Sequence, residues 1–414
     1  MIQLFPTPFN VFECPNCSNR DNNLERIIFQ GIHLIADLEC KRCGFLHYQD
    51  FPVGHGITNP AIINKQDLKL ISPAQGDWFS QPLLNSLKNP SDKTIGVEKT
   101  INAPVASADS IIFFNCLDGW YGHVLLKLLN IQFYHEKYPD FKKIVLIPKG
   151  FNWVVPYYAD EVWCADLKLS ETKNYYLQLG SFIQTELKKY DLVYHSLGFS
   201  HPPLQNIEVK DFFKVTPFNI ADFDFSQVRI TFIYREDRLW IHPFLNRIFN
   251  YLEYKKIKFA KKIFLFLQVI RINKLARQLK KTIPQGELYV CGLGKTFSLN
   301  KTIIDKRYRK ISEVNEVEWC KIYSKSHIVI GIHGSNMLIP SSLAAGWIEI
   351  LPDDRLGNIT QDLFCKYNNN VMMFLGRFVS ENDPVRRITR TAKSIIAFYP
   401  YFAKHQIQSY EITK

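Results

Sequence analysis

Apolar positions along the chain fall into two kinds of run, and their alternation predicts the architecture. Short unbroken runs, "SIIFFN" (110–115), "KIVLIP" (143–148), "DEVWCA" (160–165) and "DLVYHS" (191–196), have the length and apolar density of buried strands. Between them lie stretches with helical spacing: "YGHVLLKLLNIQFYHEKYP" (121–139), ended by Pro139, and a helix around 174–188. After a loop rich in Phe, Pro and Asp (212–226) the pattern restarts with "RITFIYRED" (229–237) and a long helix over 242–282. "GELYVCG" (286–292), a helix around 314–324, "HIVIGI" (327–332), a small-residue helix and "WIEIL" (347–351) follow. Such alternation predicts parallel sheets, hence an α/β fold of two Rossmann-like lobes with a cleft.

The ends of the chain depart from this texture. Near the start, "CPNC" (Cys14, Cys17) and "CKRC" (Cys40, Cys43) are two Cys-x-x-Cys pairs with 22 residues between them. The segment between them, "IIFQGIHLIADLEC", has the β-branched character of a two-stranded ribbon. Four thiolates so spaced complete a tetrahedral shell for a structural Zn2+ with no open position. Residues 57–105, punctuated by Pro60, Pro73, Pro82, Pro90 and Pro104, read as a connector. The expected divisions are therefore a zinc ribbon (1–56), a connector (57–105), an N-terminal lobe (106–226), a C-terminal lobe (227–378) and a helical tail (379–414).

Composition narrows the partners. The balance of 51 Lys+Arg against 39 Asp+Glu gives a net charge of +12, which favours an anionic partner. Ten cations and no acid occupy "YKKIKFAKKIFLFLQVIRINKLARQLKK" (254–281), a basic helix with apolar members partly on one face, suited to an anionic membrane surface. The competing reading is a solvated basic face covering an apolar stripe against the sheet. No secretory leader is legible, the longest apolar run, "IFLFLQVI", cannot span a bilayer, and nine cysteines fit a reducing compartment. The expectation is a cytoplasmic protein, peripheral at the inner face of the membrane. Cys116, Cys164, Cys291, Cys320 and Cys365 read as core.

Candidate chemistry gathers where strands end, since ligands of open α/β sheets bind beyond the carboxyl ends of the strands. Strand 328–332 runs into His333-Gly334-Ser335-Asn336, and a short helix follows, capped by Asn336 or begun at Pro340. Gly334 allows close backbone approach, while Ser335, Asn336 and amides at a helix start favour a phosphate. Glu349, in the next strand, stands near where a sugar or ribose hydroxyl would need an acceptor; the alternative is a loop cap, with Glu349 on an edge or solvent face. Arg235 directly follows "ITFIY", and Arg238 is near.

An apolar strand, His-Gly-small-Asn, a small-residue helix and a strand ending in Glu-x-x-Pro resemble the donor motif of GT-B glycosyltransferases. The likeness is greatest to the family-61 type, which includes xylosyl- and N-acetylglucosaminyltransferases. "ITFIYREDR" resembles that family's strand ending in Arg, and "DGWYGHVLLKLL" its aromatic-x-His-x-x-Leu helix near the start of the acceptor lobe. The order of the three motifs agrees, over roughly residues 110–375.

The resemblance implies a hexosyl- or pentosyltransferase moving sugar from a nucleotide-sugar donor to a glycan or lipid-linked acceptor, with inversion and without catalytic metal, as in polysaccharide biosynthesis. It implies donor binding by Arg235, Arg238, His333, Gly334, Ser335, Asn336, Glu349, Asn358 and Thr360, with Asp118 and His123 as candidate catalytic bases. Two alternatives remain. A zinc-ribbon nucleic-acid-binding or RNA-modifying protein is disfavoured because the basic residues concentrate on one helix and not on the ribbon. A zinc-ribbon S-adenosylmethionine methyltransferase would use "YVCGLGKTF" (289–297), where Phe297 replaces the third glycine of the dinucleotide pattern.

Overall fold

The computed structural model describes residues 1–71, 77–359, 361, 363–364, 366–367 and 369–412. In it, the apolar runs are strands of two separate units, Met1–Pro203 and Leu204–Lys414. The first unit opens with β1 (Ile2–Phe5) and five strands, β2 (Asn22–Gln30), β3 (His33–Cys40), β4 (Leu46–Asp50), β5 (Ile62–Asn64) and β6 (Lys69–Leu70). Helix α1 (Asp77–Lys88) and β7 (Val97–Ile101) lead to β8 (Ser110–Asn115), α2 (Tyr121–Lys137) and β9 (Lys142–Pro148). Then come β10 (Glu161–Ala165), α3 (Leu177–Leu187) and β11 (Leu192–His195). The main sheet has the order β1-β11-β8-β9-β10-β7, parallel at its centre and antiparallel at both edges.

Ile111, Ile112, Phe113 and Phe114 of β8 are all buried, as a strand covered on both faces requires. Each such side chain contributes about 1.5–3 kcal/mol. Helix α2 lays Val124, Leu125, Leu128 and Leu129 in the interior and stops at Tyr138, because Pro139 cannot donate to the helix.

The second unit begins with α4 (Val209–Phe213), then β12 (Arg229–Tyr234), α5 (Pro243–Tyr254), α6 (Lys258–Thr282), β13 (Glu287–Leu293) and β14 (Ile303–Tyr308). It continues through α7 (Glu313–Tyr323), β15 (Ile328–Ile332), α8 (Leu338–Leu343), β16 (Gly346–Leu351), α9 (Asn369–Leu375), β17 (Gly376–Ser380) and α10 (Val385–Ile412). Its sheet, β14-β13-β12-β15-β16-β17, is parallel throughout. The α/β class with two Rossmann-like sheets is thus present. The direction of strand addition reverses between β12 and β15, so a crevice opens at their carboxyl ends.

The divisions differ from those expected. The small antiparallel sheet β2-β3-β4-β5-β6 continues past residue 56 to Leu70, and Leu83 and Leu84 of α1 pack on it with Ile28, Ile35, Ala61 and Ile63. Residues 57–105 are therefore structured, the prolines marking turns between elements. Segment 204–226 belongs with the second unit: Phe223 packs its ring on His327 and Tyr399, and Phe218 N–H donates to Leu343 O at 2.8 Å. The tail is also integral, since Ile388, Ala392, Ile395 and Ile396 share a core with Ile272, Leu275 and Leu279 of α6. The single helix expected over 242–282 is broken at Lys256 (φ +56°), which folds α5 back so that Phe249 packs on Phe264. Cys116, Cys164, Cys291 and Cys320 are buried; Cys365 lies outside the described residues.

Candidate active site

In the second unit, the carboxyl end of β12 delivers Arg235 and Arg238 beside the turn that leaves β15. Arg235 grips Asp237 through Nε and Nη2, and its Nη1 donates to Asn336 Oδ1 at 2.5 Å. Arg238 Nη1 donates to the carbonyl of His333 at 3.0 Å. Gly334 sits at φ +142°, a conformation that side-chain-bearing residues rarely adopt, and a β-carbon there would also lie 3.2 Å from Arg235 Nη1. From behind, the buried Gln268 of α6 fixes the loop, accepting from Trp240 N at 2.6 Å and donating to Arg235 O at 3.0 Å.

Burial, and then the neighbouring guanidiniums of Arg355 and Arg235, push the pKa of Arg238 below the usual arginine range. Asp237 and Asp354 pull the other way, and the three guanidiniums outnumber these two carboxylates, which leaves room for an anion. Arg238 also lines a pocket of 510 Å³ with Asp237, Arg247, Ile332, Ile350 and Asp354. The buried Nδ2 of Asn336 has no hydrogen-bond partner among the described residues, and Arg355 Nε is ion-paired with Asp354 at 3.5 Å.

Not every expected donor residue faces this crevice. The side chains of His333 and Glu349 are 1% and 0% exposed and are joined to each other through Nδ1 and Oε2. His333 Nε2 meets the carbonyl of Asn358 at 3.0 Å, and Asn358 Nδ2 donates to Gln361 Oε1 at 2.9 Å. These three residues brace the turn from beneath, because β16 is buried on both faces and its carboxylate needs an internal partner. The helix after the turn begins at neither expected point. Ser335–Met337 form a 3₁₀ turn, and α8 then runs for six residues with Pro340 in its first turn, where no amide is needed. Six residues carry little macrodipole, so among the expected donor groups the guanidiniums and the amides at 335–336 are those that could meet an anion. Thr360 lies outside the described residues.

In the first unit, Asp118 follows β8 at the carboxyl edge of the main sheet and is fully buried. Lys127 Nζ lies 2.9 Å from its Oδ2, His55 Nε2 3.1 Å from the same oxygen, and His123 Nδ1 3.3 Å from Oδ1. Burial alone would raise the Asp118 pKa; Lys127 and the hydrogen bonds from both histidines more than offset it and hold it well below the usual carboxylate range. Burial lowers His55 to about 4. The three groups could geometrically hold a cation, but the Lys127 ammonium already neutralises the carboxylate. What remains is a dyad. Facing the Asp118 carboxylate, Nδ1 of His123 is the nitrogen suited to carry the proton, and the neutral ring, 23% exposed, then keeps a lone pair on Nε2. Trp78 and Trp120, both partly exposed, stand edge to face 5.0 Å apart, with Trp120 5.2 Å from the His123 ring.

His55, Lys127, Arg355 and the indole pair were not among the residues expected from sequence. Lys127 carried a signal, a cation inside the run "VLLKLL", which announces a buried counter-charge. His55, flanked by two glycines and 63 residues before Asp118, carried none.

The four N-terminal cysteines come together at the root of the small sheet. Sγ–Sγ separations are 3.7 Å for Cys14–Cys43 and 3.6 Å for Cys17–Cys40. Tetrahedral zinc with Zn–S bonds of about 2.3 Å sets neighbouring sulfurs roughly 3.8 Å apart, so the donor set fits that ion. Each knuckle closes through a left-handed residue, Ser18 (φ +55°) and Gly44 (φ +68°), and Asn16 and Asn19 Nδ2 donate to Cys43 and Cys40 Sγ. The glycine turn 292–294 packs against protein instead: a β-carbon at Gly292 would lie 2.0 Å from Tyr234 O, and one at Gly294 2.3 Å from the Glu236 side chain. Those glycines serve close approach to β12, which removes the basis for a methyltransferase cofactor loop.

No family model matches the chain, and no curated protein sequence matches it. Among solved structures it is similar to the E. coli ADP-heptose LPS heptosyltransferase II, with a TM-score of 0.40 and 9% identity, covering 70% of this chain and 99% of that one. It is also similar to E. coli heptosyltransferase WaaC with ADP, with a TM-score of 0.34 and 11% identity, covering 72% and 98%. Likeness this distant leaves the chemistry to be argued from the chain's own side chains.

Proposed function

We propose that the protein is a GT-B glycosyltransferase resembling the family-61 type, which transfers a sugar from a nucleotide-sugar donor to a glycan or lipid-linked acceptor with inversion. The observation that carries this reading is the seating of Arg235 and Arg238 on the turn after β15, with Arg238 lining the 510 Å³ pocket and the charge of Arg355 near it. A nucleoside diphosphate is the anion that such a site fits, its phosphates on the guanidiniums and the turn amides, its nucleoside in the pocket. In the transfer, an acceptor hydroxyl oxygen attacks the anomeric carbon as the bond from that carbon to the diphosphate oxygen breaks. The electron pair leaves with the diphosphate, whose growing charge the guanidiniums neutralise, the task a metal ion performs in other transferases. The proton passes to His123 Nε2, with Asp118 holding the tautomer and stabilising the imidazolium. Trp78 and Trp120 offer apolar faces to an acceptor sugar ring. The cysteine cluster is assigned a structural zinc that ties the root of the small sheet.

The test is thermal stability with UDP, GDP or ADP, followed by transfer assays. One of them at about 100 times its Kd should add about 2.7 kcal/mol of stability. Arg238→Ala should abolish that shift, whereas His123→Ala should keep it and lose transfer by at least about a hundredfold. If no nucleoside diphosphate stabilises the protein, or Arg238→Ala binds one as well as the parent, the donor assignment falls.

A further inference from the structure

Helices α5 and α6 form a hairpin whose inner side is packed: Phe249, Ala260, Phe264 and Leu265 share one cluster with Leu239 and Ile241. Their outer side is apolar as well. On α6, Phe259 is 70% exposed, Ile263 52%, Phe266 50% and Ile270 45%. At 100° per residue these four fall within about 60° of one another, a continuous stripe along three turns. On α5, Phe244, Ile248 and Tyr251 repeat the arrangement, each exposed. Lys255 and Lys256 occupy the turn between the helices, Lys262 and Lys274 border the stripe on its two sides, and Arg277 and Lys281 continue it. No Asp or Glu occurs from 254 to 281.

We propose that this hairpin docks the protein on an anionic bilayer surface. The aromatic and aliphatic stripe enters the boundary between headgroups and acyl chains, and the lysines extend along it to the lipid phosphates. Charge decides the occupant. A second copy of the chain would bring Lys262 and Lys274 against the same cations, and a nucleic-acid backbone offers nothing to a centre made of Phe and Ile. A bilayer with anionic headgroups satisfies both parts of the face at once. No helix among the described residues is long and apolar enough to cross a membrane, and α6, with 25 residues or about 37 Å, would lie in the surface plane. This inference does not rest on the donor assignment.

The test is co-sedimentation of the full chain with phosphatidylcholine vesicles and with vesicles that also contain phosphatidylglycerol. The chain should partition at least about tenfold more strongly to the second, an advantage that shrinks as salt is raised. Phe259→Ser with Phe266→Ser should lower that binding about tenfold or more, and Lys262→Glu with Lys274→Glu likewise. The lysine pair should leave the melting temperature unchanged, since both side chains are exposed, and the Phe pair should lower it only by what the edge-to-face contact of Phe266 with Phe297 contributes. Equal binding to both vesicle types, or full binding by the charge-reversed pair, overturns the proposal. So does a dimer, seen by light scattering, that the Phe pair dissolves.

Discussion

The charge cluster around Asp118 makes a prediction that can be read without knowing any substrate. At 2.9 Å, and with an effective dielectric constant of about 20, the Lys127–Asp118 attraction is about 6 kcal/mol before desolvation is subtracted. Asp118→Asn removes the negative member and leaves an ammonium, 3% exposed, whose nearest remaining acceptor is the carbonyl of Leu117 at 2.9 Å. Stranding a buried charge in this way costs about 3–5 kcal/mol. Lys127→Met should cost less, about 1–3 kcal/mol, because His55 and His123 still donate to the carboxylate. The double variant contains neither charge and should be more stable than Asp118→Asn alone, an interaction energy of at least about 2 kcal/mol. Urea unfolding of the full chain at neutral pH measures all four proteins, with the transition of the first unit followed through its own tryptophans. Additive single effects within about 0.5 kcal/mol, or a loss below about 1 kcal/mol for Asp118→Asn, would refute the buried ion pair.

Two further outcomes are expected. His55 and His195 are both held down to about 4 by burial, so below the ordinary value of 6.5 the unfolded chain takes up two protons that the folded chain refuses. Stability of the first unit should therefore fall as pH drops from about 6.5 towards 4, by up to roughly 3 kcal/mol per histidine, and a flat profile from chemical denaturation across that window would contradict the burial of both rings. Cys14→Ser should abolish zinc measured by metal analysis of the purified chain and expose the root of the small sheet to protease; a full complement of zinc in that variant would exclude the four-thiolate site.

Legibility followed the physics of each element. Strands β8, β9, β12 and β15 are buried on both faces, so their sequences are unbroken apolar runs and could be read directly. Strand β14, "IIDKRY", lies at a sheet edge and carries Asp305, Lys306 and Arg307, and it could not. Its Arg307 is nonetheless fully buried, held by Asp305 and lying over the ring of Tyr234. The break between α5 and α6 is set by tertiary packing of Phe249 and Phe264, with no Gly or Pro between the helices to mark it. Within the site, Arg235 and Arg238 stood out as cations directly after a buried strand, and in the structure they hold Asp237, Asn336 and the carbonyl of His333. His333 and Glu349 were legible as a pair of unusual residues but not in direction: local pattern cannot tell a carboxylate aimed at a ligand from one that locks the turn. His55 became part of the site only through folding, so no local pattern could point to it.

Gln268 has a mechanical consequence. Its amide ties the backbone of Arg235 and Trp240 to the inner side of α6, while the outer side of the same rod carries Phe266 and Ile270. Any tilt or shift imposed on that rod from outside is transmitted through two hydrogen bonds to the loop bearing the guanidiniums. Gln268 is thereby one joint, beside the packing of Leu239 and Ile241 on Phe264 and Leu265 and of Arg271 on Trp240, through which a load on the outer side of the rod reaches that loop.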